Sequence, residues 1–433
     1  MSARIEAVPS GAARGAALAV PILALALGHV FSNAVRTLPA VAADVLGRDL
    51  GLSPEGLAAI TGAFPAAFAL AMVPVGVGLD RWGVRRTALA LLAIAAFGAV
   101  LAALAPGSHA MLAAQVVLGI GCSGMLMCPI TFAARETGAA GFAVWSGIIQ
   151  AVGNSGMLLS ASPLAALVEW QGWRAGYWAA ACLAGFAFLA VALTVRQPPP
   201  PRRGTHPLWR DAGQVLAIAV SPALRPLMVF AFASFAVVLG VRGLWGGPWL
   251  MEVKGLSRLA AGNVLLACTA ALVVGPAIAG AVHRAVGHPV ALMAGSHFLV
   301  AGLILLLVAG GPGGPLAQAL GLPMLPAGFD AVLLVAFGLI IAFQVLAFSL
   351  VRAAVPPEQT GRALSAQNIA FFGGAAVLQA VSGAAAAAGG IGAALSVFAV
   401  ALLLCTGGFL ALRGGGFLAL RAGGFLALRR KRD

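Results

Sequence analysis

Three polar side chains interrupt an apolar stretch near the N-terminus: His29, Asn33 and Arg36. Their spacing of four and then three residues places them on one face of a helix. A charged group is costly in hydrocarbon, so such residues normally face a cavity or a partner inside the protein. A guanidinium group binds a carboxylate or a phosphate through two parallel hydrogen bonds, and histidine changes charge near neutral pH. The stretch therefore predicts an anion-binding site, with His29 as the best candidate for coupling to protons.

A second arginine lies at a comparable position in the other half of the chain. Arg242 occupies the outer half of its apolar run, within VRGLWGGPW (241–249), much as Arg36 does in the first half. We expect both guanidinium groups to bind the anionic group of one substrate. The alternative is that both extend to the membrane surface or cap helix carbonyl groups.

Amide side chains extend this candidate substrate site. They are rare in hydrocarbon, and they either bind substrate or form hydrogen bonds between helices. We assign three of them to the substrate site: Gln150, Asn154 and Gln344. Close to Arg242, glycines add backbone freedom and a proline removes a hydrogen bond, which indicates a gating hinge or an ordinary packing kink. The hinge residues are Gly246, Gly247 and Pro248.

Carboxylates and metal ligands are not expected in this site. All twelve acidic residues fall at predicted helix ends or in loops, and Asp44, Glu252 and Asp330 come nearest to the core. The five cysteines match neither a disulfide framework nor a metal site. His297 is expected at the periphery, held by ordinary structural contacts. The sequence thus predicts no cofactor, no metal ion and no catalytic residue, and it carries no motif of a membrane-embedded enzyme.

Long apolar runs must hold these side chains in place. Of the 433 residues, 61% are hydrophobic and only 9% are charged, whereas a soluble domain has about 25% charged residues. Runs of about 18 or more apolar residues are typical of membrane-spanning helices, and the chain has twelve such runs. They cover roughly residues 16–43, 54–78, 87–105, 109–133, 142–167, 175–195, 226–251, 258–282, 289–309, 329–351, 363–387 and 391–412.

Basic residues are distributed unevenly between the two predicted sides of the membrane. If the N-terminus is cytoplasmic and the runs alternate, twenty basic residues lie on the cytoplasmic side and four lie outside. This bias follows the positive-inside rule and accounts for the net charge of +14 without a nucleic-acid partner. We expect a monomeric, multi-pass protein of the bacterial inner membrane with both termini in the cytoplasm. Its expected partners are the lipid bilayer, a small-molecule substrate and either a coupled proton or a counter-anion.

A proline-rich segment near the middle of the chain separates six runs from six. VRQPPPPRRGTHPLWRD (195–211) cannot continue a helix and favours an extended linker. Two sets of six helices are typical of secondary transporters, which bind substrate between their halves. The predicted division is an N-terminal six-helix bundle, a cytoplasmic linker, a C-terminal six-helix bundle and a basic cytoplasmic tail that repeats GGFLALR. These parts cover residues 1–195, 196–225, 226–412 and 413–433, respectively.

The connection between the second and third runs carries GVGLDRWGVRR (76–86). It resembles the signature loop of the major facilitator superfamily, G-x-x-x-D-R-x-G-R-R, with Val84 inserted before the last two arginines. Three further segments resemble later loops of that family: GWRAGYW (172–178), AVHRAVGHP (281–289) and VPPEQTGRALS (355–365). The resemblance implies that the signature loop acts as a gating latch at the cytoplasmic end. The latch residues are Gly76, Asp80, Arg81, Gly83, Arg85 and Arg86.

The resemblance also implies an all-α membrane protein with twelve transmembrane helices in two pseudo-symmetric six-helix bundles. A central cavity, lined mainly by helices 1, 4, 7 and 10, would open alternately to the two sides. Gln115 stands where drug/proton antiporters of the family carry an arginine in helix 4, which argues against proton-coupled drug efflux. The resulting prediction is a secondary transporter for a small organic anion, and not an enzyme. The alternatives are efflux of a hydrophobic drug-like compound and a membrane sensor that has lost transport.

Overall fold

The computed structural model describes residues 11–137, 139–196, 208–356 and 359–429, most of which are helical. The prolines of the predicted linker and the extreme ends of the chain lie outside these ranges. The side chains of the repetitive tail beyond residue 413 and of Asp80, in the predicted latch, are also outside the description.

Six membrane-spanning helices form the first half. Three of them consist of two or more helical segments separated by short breaks. Helix 1 is Gly11–Val35, extended by Leu38–Val41 and Ala43–Leu50; helix 2 is Pro54–Arg81; helix 3 is Gly83–Ala103; helix 4 is Ser108–Cys122 with Met127–Glu136; helix 5 is Ala139–Leu159 with Ser162–Gln171; and helix 6 is Trp173–Thr194.

The second half begins after a helix at Leu208–Ala219. Its first and fourth spans depart from regular α geometry in their middle. Helix 7 is Arg225–Val237, continued by a π-helical segment Val238–Trp245, a turn Gly246–Pro248 and a second π-helical segment Trp249–Val253; helix 8 is Arg258–Val286; helix 9 is Pro289–Ala309; helix 10 is Ala327–Ile341, a 3-10 turn Ala342–Val345 and Leu346–Ala353. A short helix, Pro315–Ala319, lies between helices 9 and 10.

Helices 11 and 12 lie within one long helical segment, Thr360–Arg429. Length and composition alone give eleven candidate spans in the described residues, because the last covers 52 residues, Arg362–Arg413. The backbone leaves helical geometry at Gly389 and Gly390, where Gly390 has φ 73° and ψ −174°, a conformation that favours glycine. The break divides the segment into helix 11 (360–388) and helix 12 (391–429), so the prediction of twelve helices is confirmed.

Local sequence explains where several spans begin and end. Helices 2 and 8 each begin after a serine whose Oγ accepts a hydrogen bond from a backbone N–H three residues later, which satisfies a donor that the helix cannot. The capping residues are Ser53 and Ser257, and Pro54 fits the first turn of helix 2 because it lacks an N–H. These caps fix the ends of two helices that meet the opposite half.

The two halves are joined at one end of the molecule. Arg258, at the start of helix 8, donates two hydrogen bonds of 2.8 and 2.7 Å to the two carboxylate oxygens of Asp44, in the last segment of helix 1. Ser162 of helix 5 donates a 2.6 Å hydrogen bond to Asn263 of helix 8. We call this the closed end; the opposite end, where helix 5 begins and helix 10 finishes, is the open end.

Candidate substrate-binding site

A cavity of about 200 Å³ lies between the halves. All seven side chains that the sequence assigned to substrate line it: His29, Asn33, Arg36, Gln150, Asn154, Arg242 and Gln344. Near the closed end, Thr37 is 3% exposed, whereas Phe348 of helix 10, further along the wall, is 36% exposed. Gln150 is also exposed. The cavity therefore opens toward the open end, on the same side as the signature loop.

The polar face of helix 1 is held against helix 5. Asn33 donates a 3.0 Å hydrogen bond from Nδ2 to the carbonyl oxygen of Gly153, and the same nitrogen lies 3.4 Å from Nε2 of His29. A Cβ atom at Gly153 would overlap the His29 ring, and one at Gly156 would overlap the backbone of Val30. Glycine at both positions lets the two helices approach closely and fixes the polar face of helix 1.

Arg36 is a partly buried cation with few partners of its own. Its Nη2 lies 3.5 Å from Oγ of Ser32, and its buried Nε has no hydrogen-bond partner among the described residues. The guanidinium carbon lies 5.8 Å from the ring centre of Phe235 and 5.3 Å from that of Phe372. The described residues that line the cavity include no carboxylate. The guanidinium group therefore keeps unused donors at the cavity wall.

Arg242 is held differently, because its donors link the two halves. Nε donates a 2.6 Å hydrogen bond to Thr269 of helix 8. Nη2 donates to the carbonyl oxygen of Met157 (2.7 Å) and to Oγ of Ser160 (3.2 Å), both in the first half. Arg242 is only 4% exposed. The side chain lines the cavity, does not extend to the surface, and does hydrogen bond to a helix carbonyl group.

Phenylalanines form much of the remaining wall, and sequence reasoning had not assigned them. The rings of Phe68 and Phe372 are stacked with centroids 3.8 Å apart across the two halves. Phe235 packs against Phe371 at 5.5 Å and against Phe372 at 5.2 Å. Aromatic residues are ordinary in membrane helices, so their types alone did not single them out. The cavity combines one cation that has unused donors with an aromatic wall.

The proposed hinge is buried and lies against the other half. Gly246, Gly247 and Pro248 form the turn between the two π-helical segments of helix 7. A Cβ atom at Gly247 would lie 3.1 Å from the carbonyl oxygen of Ala40. The irregular part of helix 7 is therefore also the part that lies close to the backbone of helix 1.

One carboxylate at a helix end, that of Asp330, is buried, which the sequence did not indicate. Asp330 is 0% exposed and lies 3.0 Å from Nζ of Lys254, and Nε1 of Trp249 donates to it at 2.8 Å. Lys254 also donates to two backbone carbonyl groups. The burial is possible because the carboxylate of Asp330 interacts with both a cation and a neutral donor. Its position at a helix end gave no indication of these partners. None of these residues lines the cavity.

The expected peripheral position of His297 was wrong. The residue is 0% exposed, and its ring contacts Ser234 of helix 7 and the backbone of its own helix. A single histidine in an apolar run gives no sign of which neighbour it faces, so its sequence context could not place it.

The signature loop connects helices 2 and 3 at the open end, and its residues contact helices 4 and 6. Gly83 has φ 79°, a backbone conformation that favours glycine. Arg85 donates a 2.9 Å hydrogen bond to the carbonyl oxygen of Ala192 at the end of helix 6, and Arg135 of helix 4 donates to that of Leu79 at 3.4 Å. Arg86 is exposed and Gly76 has open space beside it. These contacts leave the latch as a prediction, since the Asp80 side chain lies outside the description.

Twelve membrane-spanning helices surround a central cavity lined by arginine, amide and aromatic side chains, which is the architecture of a secondary transporter. Residues 25–379 match the family model of the Major Facilitator Superfamily, and the chain belongs to that family. No curated protein matches the chain significantly in sequence.

Solved structures with the same fold include transporters with differing substrates. One is a mutant of the nucleoside transporter NupG, with a TM-score of 0.70 and 15% identity over 92% of this chain and 99% of that one. A D-xylose-proton symporter gives 0.71 and 14% over 90% and 97%. The human organic anion transporter MFSD10 (TETRAN) gives 0.64 and 18% over 93% and 100%. Similarity at this level establishes the fold alone.

Proposed function

We propose that this protein moves a small organic anion across the bacterial inner membrane by alternating access, with Arg36 as the main ligand of the anionic group. The observation that carries the proposal is the state of that guanidinium group: it lies at the cavity wall, its Nε lacks a hydrogen-bond partner, and the described lining has no carboxylate. A partly buried cation without a counter-charge is unfavourable, and an incoming anion removes that cost.

The remaining wall favours an anion with an apolar body. Phe235 and Phe372 flank the guanidinium group, and the amides of Gln150, Asn154 and Gln344 offer donors and acceptors further along the wall. A cavity of about 200 Å³ is smaller than the roughly 300–1,000 Å³ of sites for drug-sized ligands. These features support a compact carboxylate.

The second candidate is efflux of a hydrophobic drug-like compound, and the phenylalanine wall is what favours it. A cationic compound fits poorly, because the described lining contains two arginines and no acid. A sensor that has lost transport would bind ligand without moving it. Uptake into liposomes separates this third possibility from both transport functions.

Orientation and division of the chain follow the same proposal. With both termini in the cytoplasm, the open end faces the cytoplasm and the closed end faces the periplasm. The proposed units are residues 1–195 and 226–412, joined by the linker 196–225 and followed by the tail 413–433. Their relative rocking would break the Asp44–Arg258 contact at the closed end while the signature loop engages at the open end.

The test measures binding and uptake with a panel of probes: benzoate, inorganic phosphate, uridine and xylose. We expect benzoate to bind best, and Arg36→Ala to weaken its binding about tenfold or more, because a charged hydrogen bond contributes roughly 1.5–3 kcal/mol. Arg36→Lys should restore only part of the affinity, since lysine lacks the planar pair of donors. Tighter binding of a neutral probe, unchanged in Arg36→Ala, would contradict an anionic substrate.

A further inference from the structure

A buried histidine reaches the cavity through two hydrogen bonds. His297 of helix 9 is fully buried, and its Nε2 lies 2.9 Å from Oγ of Ser234 on helix 7. The same Oγ lies 3.0 Å from the side-chain oxygen of Gln344, which lines the cavity from the 3-10 turn of helix 10. These two hydrogen bonds connect a titratable ring with a polar group of the substrate site.

The contacts of the other ring nitrogen, Nδ1, determine whether Nε2 of His297 donates or accepts a hydrogen bond. Nδ1 of His297 lies 2.8 Å from the backbone carbonyl oxygen of Met293. A carbonyl oxygen only accepts hydrogen bonds. The hydroxyl of Ser296 lies 3.2 Å from Nδ1, but it donates its single hydrogen to the same carbonyl oxygen at 2.8 Å, so Nδ1 carries a hydrogen whatever the charge of the ring. A neutral ring therefore has its lone pair on Nε2, and only the charged ring has a hydrogen there.

The two charge states impose opposite hydrogen-bond directions on Ser234 and Gln344. A neutral ring accepts the single hydroxyl hydrogen of Ser234, so Ser234 must accept from the amide nitrogen of Gln344, and the amide oxygen faces the cavity. A charged ring donates to Ser234, which then donates to the amide oxygen, and the amide nitrogen faces the cavity. Half a turn of the Gln344 amide exchanges its oxygen and nitrogen at nearly the same positions.

Among the described residues, the groups that contact the ring of His297 are uncharged. Phe230 and Ser234 face it from helix 7, and Ser296 and the Met293 carbonyl group belong to its own helix. Phe409 of helix 12 packs against Phe230, and Gln344 of helix 10 is linked to the ring through Ser234. Among the described residues, no charged side chain acts on the ring.

We propose that His297 couples anion binding to proton binding through Ser234 and Gln344. A proton taken up at Nε2 converts an acceptor in the cavity wall into a donor, and a donor attracts an anion that an acceptor repels. A bound anion must favour protonation by the same factor. The proposal rests on the proposed function for the class of substrate, and it assigns the coupling to His297 in place of His29.

Benzoate, which stays ionised near neutral pH, is the probe, and the full-length protein in detergent is titrated between about pH 5 and pH 8. We expect wild-type affinity to weaken about tenfold across this range as pH rises. His297→Gln and Ser234→Ala should bind benzoate with an affinity that does not vary with pH. His288→Gln is the matched control: His288 is exposed at the start of the same helix and should keep the wild-type pH dependence.

Wild-type pH dependence in His297→Gln, or its absence from the wild type, would overturn the proposal. A measurement without ligand uses protein labelled with ¹⁵N-histidine, in which the His297 signals are those that His297→Gln removes. The proposal requires hydrogen on Nδ1 of the neutral ring, and a hydrogen on Nε2 instead would overturn it. If Nδ1 carries the hydrogen but no anion of the panel binds, the hydrogen-bond arrangement of His297, Ser234 and Gln344 is supported, and the proposed substrate class is contradicted.

Discussion

At the scale of single residues, the two cavity arginines have different surroundings. Arg36 has one long hydrogen bond and two aromatic neighbours, whereas Arg242 fills its Nε and Nη2 donors with protein acceptors. Two of the acceptors of Arg242 belong to the opposite half. An arginine held in this way stabilises one arrangement of the halves, so the two residues should respond differently to substitution.

Arg242→Ala should open the closed end. Loss of hydrogen bonds from a charged donor, each contributing roughly 1.5–3 kcal/mol, should lower the closed population about tenfold or more. Spin labels on cysteines placed at the exposed positions Glu55 and Leu259, with the exposed Cys182 replaced by alanine, would report the separation across that end.

The control for this measurement is Arg174→Ala. Arg174 lies at the same end, but its contacts with Asp49 and the carbonyl group of Ala105 remain within the first half. We expect its removal to leave the label separation unchanged. An unchanged separation in Arg242→Ala as well would show that Arg242 does not hold the halves together.

At the scale of elements, the closed end depends on how helices meet across the halves. Asp44 and Arg258 form a bidentate ion pair with side chains 28% and 12% exposed. Partial burial alone would raise the pKa of Asp44, but the hydrogen bonds and charge of Arg258 outweigh it and hold the pKa below its usual value. A lowered pKa means that the pair is intact above the usual value and is lost only as pH falls through the lowered one.

Asp44→Asn should weaken closure without abolishing it. A partly exposed pair contributes about 1 kcal/mol or less, which corresponds to roughly a fivefold loss of the closed population. The same label pair measures it. The wild-type separation should stay constant from about pH 8 to about pH 5, because an unperturbed aspartate has a pKa of about 3.9 and the pKa of Asp44 is lower still. Asp49→Asn, whose ion pair lies within the first half, is the matched control. Opening of the wild type over that pH range would contradict the role of Asp44.

At the scale of the whole molecule, the sequence was sufficient for the architecture because each span is long and apolar, and Gly389–Gly390 separates the last two. The helix-1 spacing was sufficient to bring His29, Asn33 and Arg36 to one cavity. Contacts between helices that are distant in sequence determine which acceptors Arg242 uses. Such contacts also determine which groups His297 and Asp330 face. No single helix encodes those contacts, so the phenylalanine wall and both buried networks required the fold.

The direction in which the cavity opens depends on the orientation of the chain in the membrane. The bias of twenty basic residues against four predicts that residues near Arg203 and the C-terminus are cytoplasmic, whereas the connection between helices 9 and 10 is periplasmic. Truncations after Arg203 and after Leu322, and the full chain, would each be fused to two reporters, one active only in the cytoplasm and one only in the periplasm. We expect cytoplasmic activity at Arg203 and at the C-terminus, and periplasmic activity at Leu322. The open end, which carries the signature loop, would then face the cytoplasm, and a reversed pattern would instead make Asp44–Arg258 a cytoplasmic gate.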